Sequence, residues 1–384
     1  MKIFNCFLFL IGLIGCKTSE YNDNLNVVKQ PRNFDEIFEA FWCGTRTHYI
    51  YWDIDTTNWN MVYNKYKPLF RNLNINHADD RSLSADYFRE ITKGLIDSHF
   101  QIVFEDSILG GAIIFPASDR KAKASDFRSP FDYSTLDKKY FDADYLHGID
   151  ELTKINNQSQ EVVLATIDKS IIYFHCNQFS LERSFYSNSE GNVKLILDKF
   201  FERIYRNQYK GLIIDLRYNF GGDLADLNFF LNYFVQSEMT IGFSKYKRSN
   251  EMLDYSPWIK AVLSPGKKEK RKLIPIVILA DRFTVSTAEL IMMSLRLLPN
   301  VKIIGETSWG ATGPIGATNL FQAGTFKVPG YLTVYTSSAA FKYIDGRIFE
   351  GVGFPPDVSI PFSLEKITDN IDIQLEYAIS VLDR

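Results

Sequence analysis

Apolar residues recur through positions 33–97 at helical spacing. Phe34, Ile37, Phe38, Phe41 and Trp42 fall on one stripe, and Leu83, Tyr87, Ile91 and Leu95 on another at i, i+4, i+8. Thr57 and Asn58 are capping residue types ahead of Trp59, Val62, Tyr63 and Tyr66, and Pro68 marks the end of that helix. A small helical cap over residues 33–99 is predicted. Residues 100–168 lose this period: strand-like pieces at 100–104 and 112–115 alternate with a polar stretch at 117–144. They read as a connecting region without a glycine-marked loop of the PDZ kind.

From 169 onward the pattern changes again. Strand-length runs at 171–174, 212–216, 274–280 and 301–304 alternate with helix-patterned segments at 193–204, 224–235 and 287–298. That alternation predicts an α/β layer fold with a largely parallel sheet over 169–384. Further strands are expected across 324–360, with closing helices at 364–382.

The first residues set the compartment. Lys2 precedes an apolar run at 3–14, too short to span a membrane as a mature helix. It ends in Leu13-Ile14-Gly15-Cys16 and is followed by polar Lys17-Thr18-Ser19-Glu20. This order resembles the lipobox of bacterial lipoproteins. It implies a signal peptide at 1–15, acylation of Cys16, a tether at 16–32 and attachment to an extracytoplasmic membrane surface.

Composition changes the picture only at the margins. A net charge of −3 gives no global pull toward nucleic acid. The basic cluster Lys267, Lys268, Lys270, Arg271 and Lys272 reads as a solvated loop. Beyond Cys6 and Cys16, only Cys43 and Cys176 remain, so no disulfide framework is expected. No metal-binding, Walker or dinucleotide motif occurs, and no metal or cofactor is expected. Oligomeric state leaves no sequence signature.

Two motifs carry candidate chemistry: Asp215-Leu216-Arg217-Tyr218-Asn219-Phe220-Gly221-Gly222 and Thr284-Val285-Ser286-Thr287-Ala288-Glu289. Each follows a strand-length run and enters a helix-patterned segment. A strand ending in a glycine pair presents free backbone N–H groups, and a serine at a second such turn can place its hydroxyl beside them. Nucleophile and oxyanion hole are both possible here, which makes a serine hydrolase the leading expectation. Ser286 also fits a helix cap, with Glu289 completing a capping box. Asp215 and Arg217 read as a brace for the glycine turn. Among the five histidines, His99 ends a predicted helix in Asp97-Ser98-His99, where it can enter a cleft; Asp97 is a second candidate for orienting it.

Together these motifs resemble the C-terminal-processing and tricorn-core serine peptidase family. The stretch from Phe38-Glu39-Ala40-Phe41-Trp42 to Trp59 is similar to that family's helical cap. Glu350-Gly351-Val352-Gly353-Phe354-Pro355-Pro356-Asp357 is similar to a C-terminal family segment, with Phe354 replacing an aliphatic residue. The resemblance implies a ClpP/crotonase-like α/β core with an N-terminal helical cap subdomain. Ala311 stands where the C-terminal-processing branch carries its lysine base, so the tricorn-like branch fits better. It implies a Ser-His-Ser-Glu tetrad: Ser286 as nucleophile, His99 as base, Ser98 orienting His99, and Glu350 holding Ser98. Gly221, Gly222 and Thr287 would line the oxyanion hole. The implied activity is a membrane-anchored serine endopeptidase acting on peptides or unfolded segments. The rival reading is an inactive family member that binds peptides or apolar ligands.

Overall fold

The computed structural model describes residues 30–133, 138–155, 157–187, 191–206, 208–266, 274–316 and 323–383. The leader, Cys16 and the basic cluster at 267–272 lie outside them.

The cap begins as the apolar stripes predict. Helix Phe34–His48 starts at Asn33, whose side chain accepts the Glu36 N–H at 2.9 Å. Helix Trp59–Arg71 starts at Asn58, which accepts the Met61 N–H at 3.0 Å. This second helix runs through Pro68 rather than stopping there. A proline in the last turn forfeits one backbone bond near an end that is already frayed. Helix Ala78–Thr92 completes the trio.

These helices pack on a sheet that the sequence does not reveal as one unit. Its strand order is Phe326–Val328, Leu332–Tyr335, Gln101–Phe104, Ile113–Ile114, all antiparallel. Phe38, Phe41, Phe70, Phe88, Phe104, Tyr331 and Val334 share one buried cluster. The cap therefore takes strands from both ends of the chain, and the expected boundary at 99 does not hold.

The core sheet has seven strands in the order Val358–Ser359, Val301–Gly305, Ile276–Ala280, Gly211–Asp215, Ile171–Cys176, Gln158–Ile167, Leu146–Ile155. The first five are parallel, and the last two close the edge as an antiparallel hairpin. The core thus starts at Leu146, inside the expected connecting region. The three central strands are buried along their whole length, as parallel strands covered on both faces require. Leu212 and Ile214 face helices Asn192–Tyr205, Ala225–Leu231 and Thr287–Leu295, while Ile213 faces the closing helix Ile373–Leu382. A three-stranded sheet, Ala340–Tyr343, Met239–Lys245 and Ile259–Leu263, flanks the core.

Both motifs leave the carboxyl ends of adjacent parallel strands, where open α/β sheets place their ligand crevices. Among the described residues, no helix is long and apolar enough to cross a membrane.

Candidate active site

The two motif turns are stitched together. Leu216 O accepts from Thr284 Oγ1 at 2.8 Å, Asn219 O from Val285 N at 2.9 Å, and Gly222 O from Thr287 Oγ1 at 2.8 Å. Asp281 Oδ1 adds a fourth tie by accepting the Tyr218 N–H at 3.0 Å. Beneath them, Arg217 is fully buried, bonded to Asp215 and reaching Asp372 and Gln374 at 2.9 and 3.0 Å. It braces the turn, as the sequence predicts.

Ser286 sits at φ 58°, ψ −121°, a backbone conformation that costs an ordinary residue of order 1–3 kcal/mol. Strain at a strand-to-helix turn is the geometry that thrusts a nucleophile out of the backbone. Here the ties from Gly222 and Asn219 hold it in place. Ser286 is half-buried.

The glycine pair is demanded by close approach. A Cβ on Gly221, at φ +81°, would lie 2.7 Å from Ser286 Cβ and 2.8 Å from Thr287 N. One on Gly222, at φ +146°, would lie 2.2 Å from Phe179 O. The Gly221 N–H is engaged, donating to Asn219 Oδ1 at 2.9 Å. That removes Gly221 from the expected oxyanion donors and makes it a spacer. The N–H groups of Gly222 and Thr287 make no such bond among the described residues.

Glu289 does more than cap its helix. It accepts the Ser286 N–H at 2.9 Å, the carboxylate half of the predicted capping box. Fully buried, it also accepts from Ser308 Oγ at 2.5 Å, Gly310 N at 2.7 Å and Ala311 N at 2.8 Å. Burial pushes its carboxyl above the usual range, and these donors pull it back.

Glu350 takes the same loop from the other side. Oε2 accepts from Thr312 N and Gly313 N, both at 2.8 Å, and from the Tyr51 hydroxyl at 3.1 Å. Oε1 accepts the backbone N–H of Ser98 at 2.7 Å. The expected contact with Ser98 is present, but through its backbone rather than its hydroxyl. Ser98 Oγ and His99 Nδ1 are both enclosed without a hydrogen-bond partner among the described residues. Burial and the Asp97 carboxylate push Glu350 up to about 8.

Asp97 is the stronger organiser of His99. It accepts the His99 N–H at 2.8 Å and is itself locked by Thr336 Oγ1 at 2.6 Å and by Ser337 N and Oγ at 2.8 and 2.9 Å. Burial lowers the His99 pKa from its ordinary value, with the Asp97 charge and the Gly313 carbonyl opposing. In the sequence Asp97 is only a second candidate for this role, and nothing there points to Tyr51. Spacing carries no signal for the Tyr51–Glu350 bond across 299 residues or for the Ser337 donors that lock Asp97 across 240.

Asp97, His99 and Glu350 bring three possible ligand atoms within 4.8 Å of one another. All four carboxylate oxygens already accept hydrogen bonds. With its carboxylate oxygens so engaged, the cluster is not a preformed ion cage. Cys43 and Cys176 are free, one exposed and the other buried.

A strained serine on an α/β sheet, a histidine among carboxylates and two N–H groups without partners among the described residues are the types of group that serine-peptidase chemistry requires. Residues 170–360 match the model of Peptidase family S41, and the chain carries a domain of that family. It is 27% identical over 161 residues to the nisin-resistance protein of Lactococcus lactis subsp. lactis, covering 40% of this chain and 48% of that protein. It is 28% identical over 172 residues to the carboxy-terminal processing protease CtpA of Bacillus subtilis, covering 45% of this chain and 33% of that one. The alignments thus span less than half the length of these curated relatives. A solved structure from Parabacteroides merdae aligns with 92% of this chain and 97% of its own, at 21% identity and a TM-score of 0.68, which bears on the fold.

Proposed function

We propose that the protein is a serine endopeptidase, in which Ser286 Oγ attacks the scissile carbonyl while His99 takes its proton. The oxyanion forms against the N–H groups of Gly222 and Thr287, each such donor contributing about 3–4 kcal/mol to the transition state. His99 then protonates the leaving amine, and water enters to deacylate Ser286 by the same route. Ser98 and Glu350 complete the tetrad as positioning residues. Glu350 fixes the Ser98 backbone and thereby the base that follows it, and the Asp97 charge favours the imidazolium formed in the transition state.

The observation that carries this reading is the Ser286 backbone, held at φ 58° against Gly221. A helix-capping serine has no need of that conformation. A fluorophosphonate probe applied to the full chain tests it, beside Ser286→Ala and His99→Ala. Labelling that disappears in both variants is expected. A folded wild type that takes no label would favour the inactive, peptide-binding reading.

The anchoring proposal rests on Leu13-Ile14-Gly15-Cys16. Acylation of Cys16 would hold the enzyme on a bacterial membrane, facing extracytoplasmic peptides or unfolded segments. Cys16→Ala should move the protein from the membrane fraction to the soluble one; retention in the membrane would end that reading.

A further inference from the structure

Lys121 ends the short helix Pro116–Lys121, and its neighbour Arg120 pins that helix to the cap by donating to Lys93 O at 2.9 Å. The Lys121 ammonium lies 4.8 Å from the centre of the Trp309 ring. Trp309 belongs to the loop that Glu289 and Glu350 hold, and its backbone N–H donates to Thr284 O at 3.0 Å, two residues before Ser286. Lys121 therefore sits where the cap meets the catalytic loop.

Its electrostatic setting is unusual for a lysine. The side chain is half-buried, and burial lowers its pKa. The charges around it are Glu289, Glu350, Arg120 and Arg282. Both glutamates are buried with their oxygens committed to the loop backbone, and none of the four forms an ion pair with Lys121. Among the described residues its only close partner is the Trp309 ring. A cation kept partly out of water beside an aromatic face, with no ion pair among the described residues, is a ready receptor for a carboxylate.

Aromatic side chains lead from this cation back to the glycine turn. Trp309 packs on Phe283 with ring centres 6.3 Å apart, Phe283 on Tyr218 at 6.5 Å, and Tyr218 on Phe220 at 4.6 Å. Phe220 is partly exposed beside Gly221. The rings thus form a continuous series of contacts from the glycine turn to the Lys121 ammonium.

We propose that Lys121 and Trp309 form a specificity subsite that receives a substrate carboxylate. This deepens the peptidase reading and rests on it for the nature of the ligand. The carboxylate belongs either to an internal Asp or Glu side chain or to a peptide C-terminus, two sources of the same chemistry.

The test measures binding, so it does not depend on turnover. Three synthetic peptide pools with a zwitterionic rhodamine dye are titrated against the full chain carrying Ser286→Ala, by fluorescence anisotropy. One pool has Asp and Glu with an amidated C-terminus, one has Asn and Gln with a free C-terminus, and one has Asn and Gln with an amide. At least one carboxylate pool should bind ~10-fold or more tightly than the neutral pool, and Lys121→Met should erase that advantage. Lys121→Glu should reverse it, and Lys121→Arg should restore part of it. The pool that responds identifies the carboxylate's source. Equal affinities for all three pools, no binding, or a preference unchanged in Lys121→Met would each overturn the proposal. Circular dichroism of each variant guards against misfolding, and fluorophosphonate labelling of wild type reports separately on the peptidase reading.

Discussion

Glu289 and Glu350 divide one loop between them. Glu289 accepts the N–H groups of Gly310 and Ala311, and Glu350 accepts those of Thr312 and Gly313, four consecutive donors bound by two buried carboxylates. Each glutamate also holds one half of the candidate machinery, Glu289 the Ser286 N–H and Glu350 the Ser98 N–H. The loop is thus the physical link between the serine turn and the histidine junction.

Glu289→Gln should therefore damage the site and the fold together. An amide offers one acceptor where two are needed and turns a donor toward the Gly310–Ala311 or Ser286 N–H groups. A loss of about 2–4 kcal/mol in urea unfolding is expected, with fluorophosphonate labelling of Ser286 slowed in the folded protein. Wild-type stability and labelling would show that the carboxylate does not organise the turn.

Glu350 imposes a pH dependence on stability. Its folded pKa of about 8 stands above the ordinary 4.5, so between those values the native state holds a proton that the unfolded chain has released. Stability from this group is complete below pH 4.5 and lost as pH rises through 8. Denaturation midpoints at pH 5, 6.5 and 8.5 should fall in that order, and Glu350→Gln should flatten the trend. A parallel slope in the variant would assign the dependence to another group.

With His99 as the proposed base, activity should have an acid limb. The base works neutral, and burial lowers its pKa from the ordinary 6.5, so kcat/KM should decline with an apparent pKa below 6.5. His99→Ala should cost about 10²–10⁴-fold. A profile that stays flat down to about pH 4 would remove His99 from that role.

Gly221→Ala tests the spacer. The added methyl would press on Ser286 Cβ and Thr287 N at under 3 Å, in a conformation that L-residues avoid. The turn must shift and carry an oxyanion donor with it, so peptide cleavage should drop by about 10²–10³-fold while the core sheet stays folded. Retained activity would show that the two turns are not rigidly coupled.

Arg217→Ala leaves Asp215 and Asp372 as buried charges without their cation. The expected cost is about 3–5 kcal/mol in thermal or urea unfolding. A small effect would mean that these carboxyls neutralise on losing the arginine.

How much of this was legible follows from the range of each interaction. The sequence by itself determined the helical cap stripes, the alternation of strands and helices, the Asp215–Arg217 brace and the two turns that carry Gly222 and Ser286. Those features rest on neighbours within one strand, turn or helix, where spacing fixes direction. Tertiary structure alone decided that Phe326–Val328 and Leu332–Tyr335 complete the cap, because antiparallel pairing leaves no mark on which distant strand is the partner. It also decided that Gly221 is a spacer and not a donor, that Glu350 grips the Ser98 backbone, and that Asp97, Tyr51 and Lys121 surround the site. The Asn219–Gly221 and Asp97–His99 bonds are local, but the approach of Gly221 to Ser286, the Glu350 and Tyr51 bonds, the donors that lock Asp97 and the Lys121–Trp309 contact join segments far apart in the chain, which only the packed core brings together.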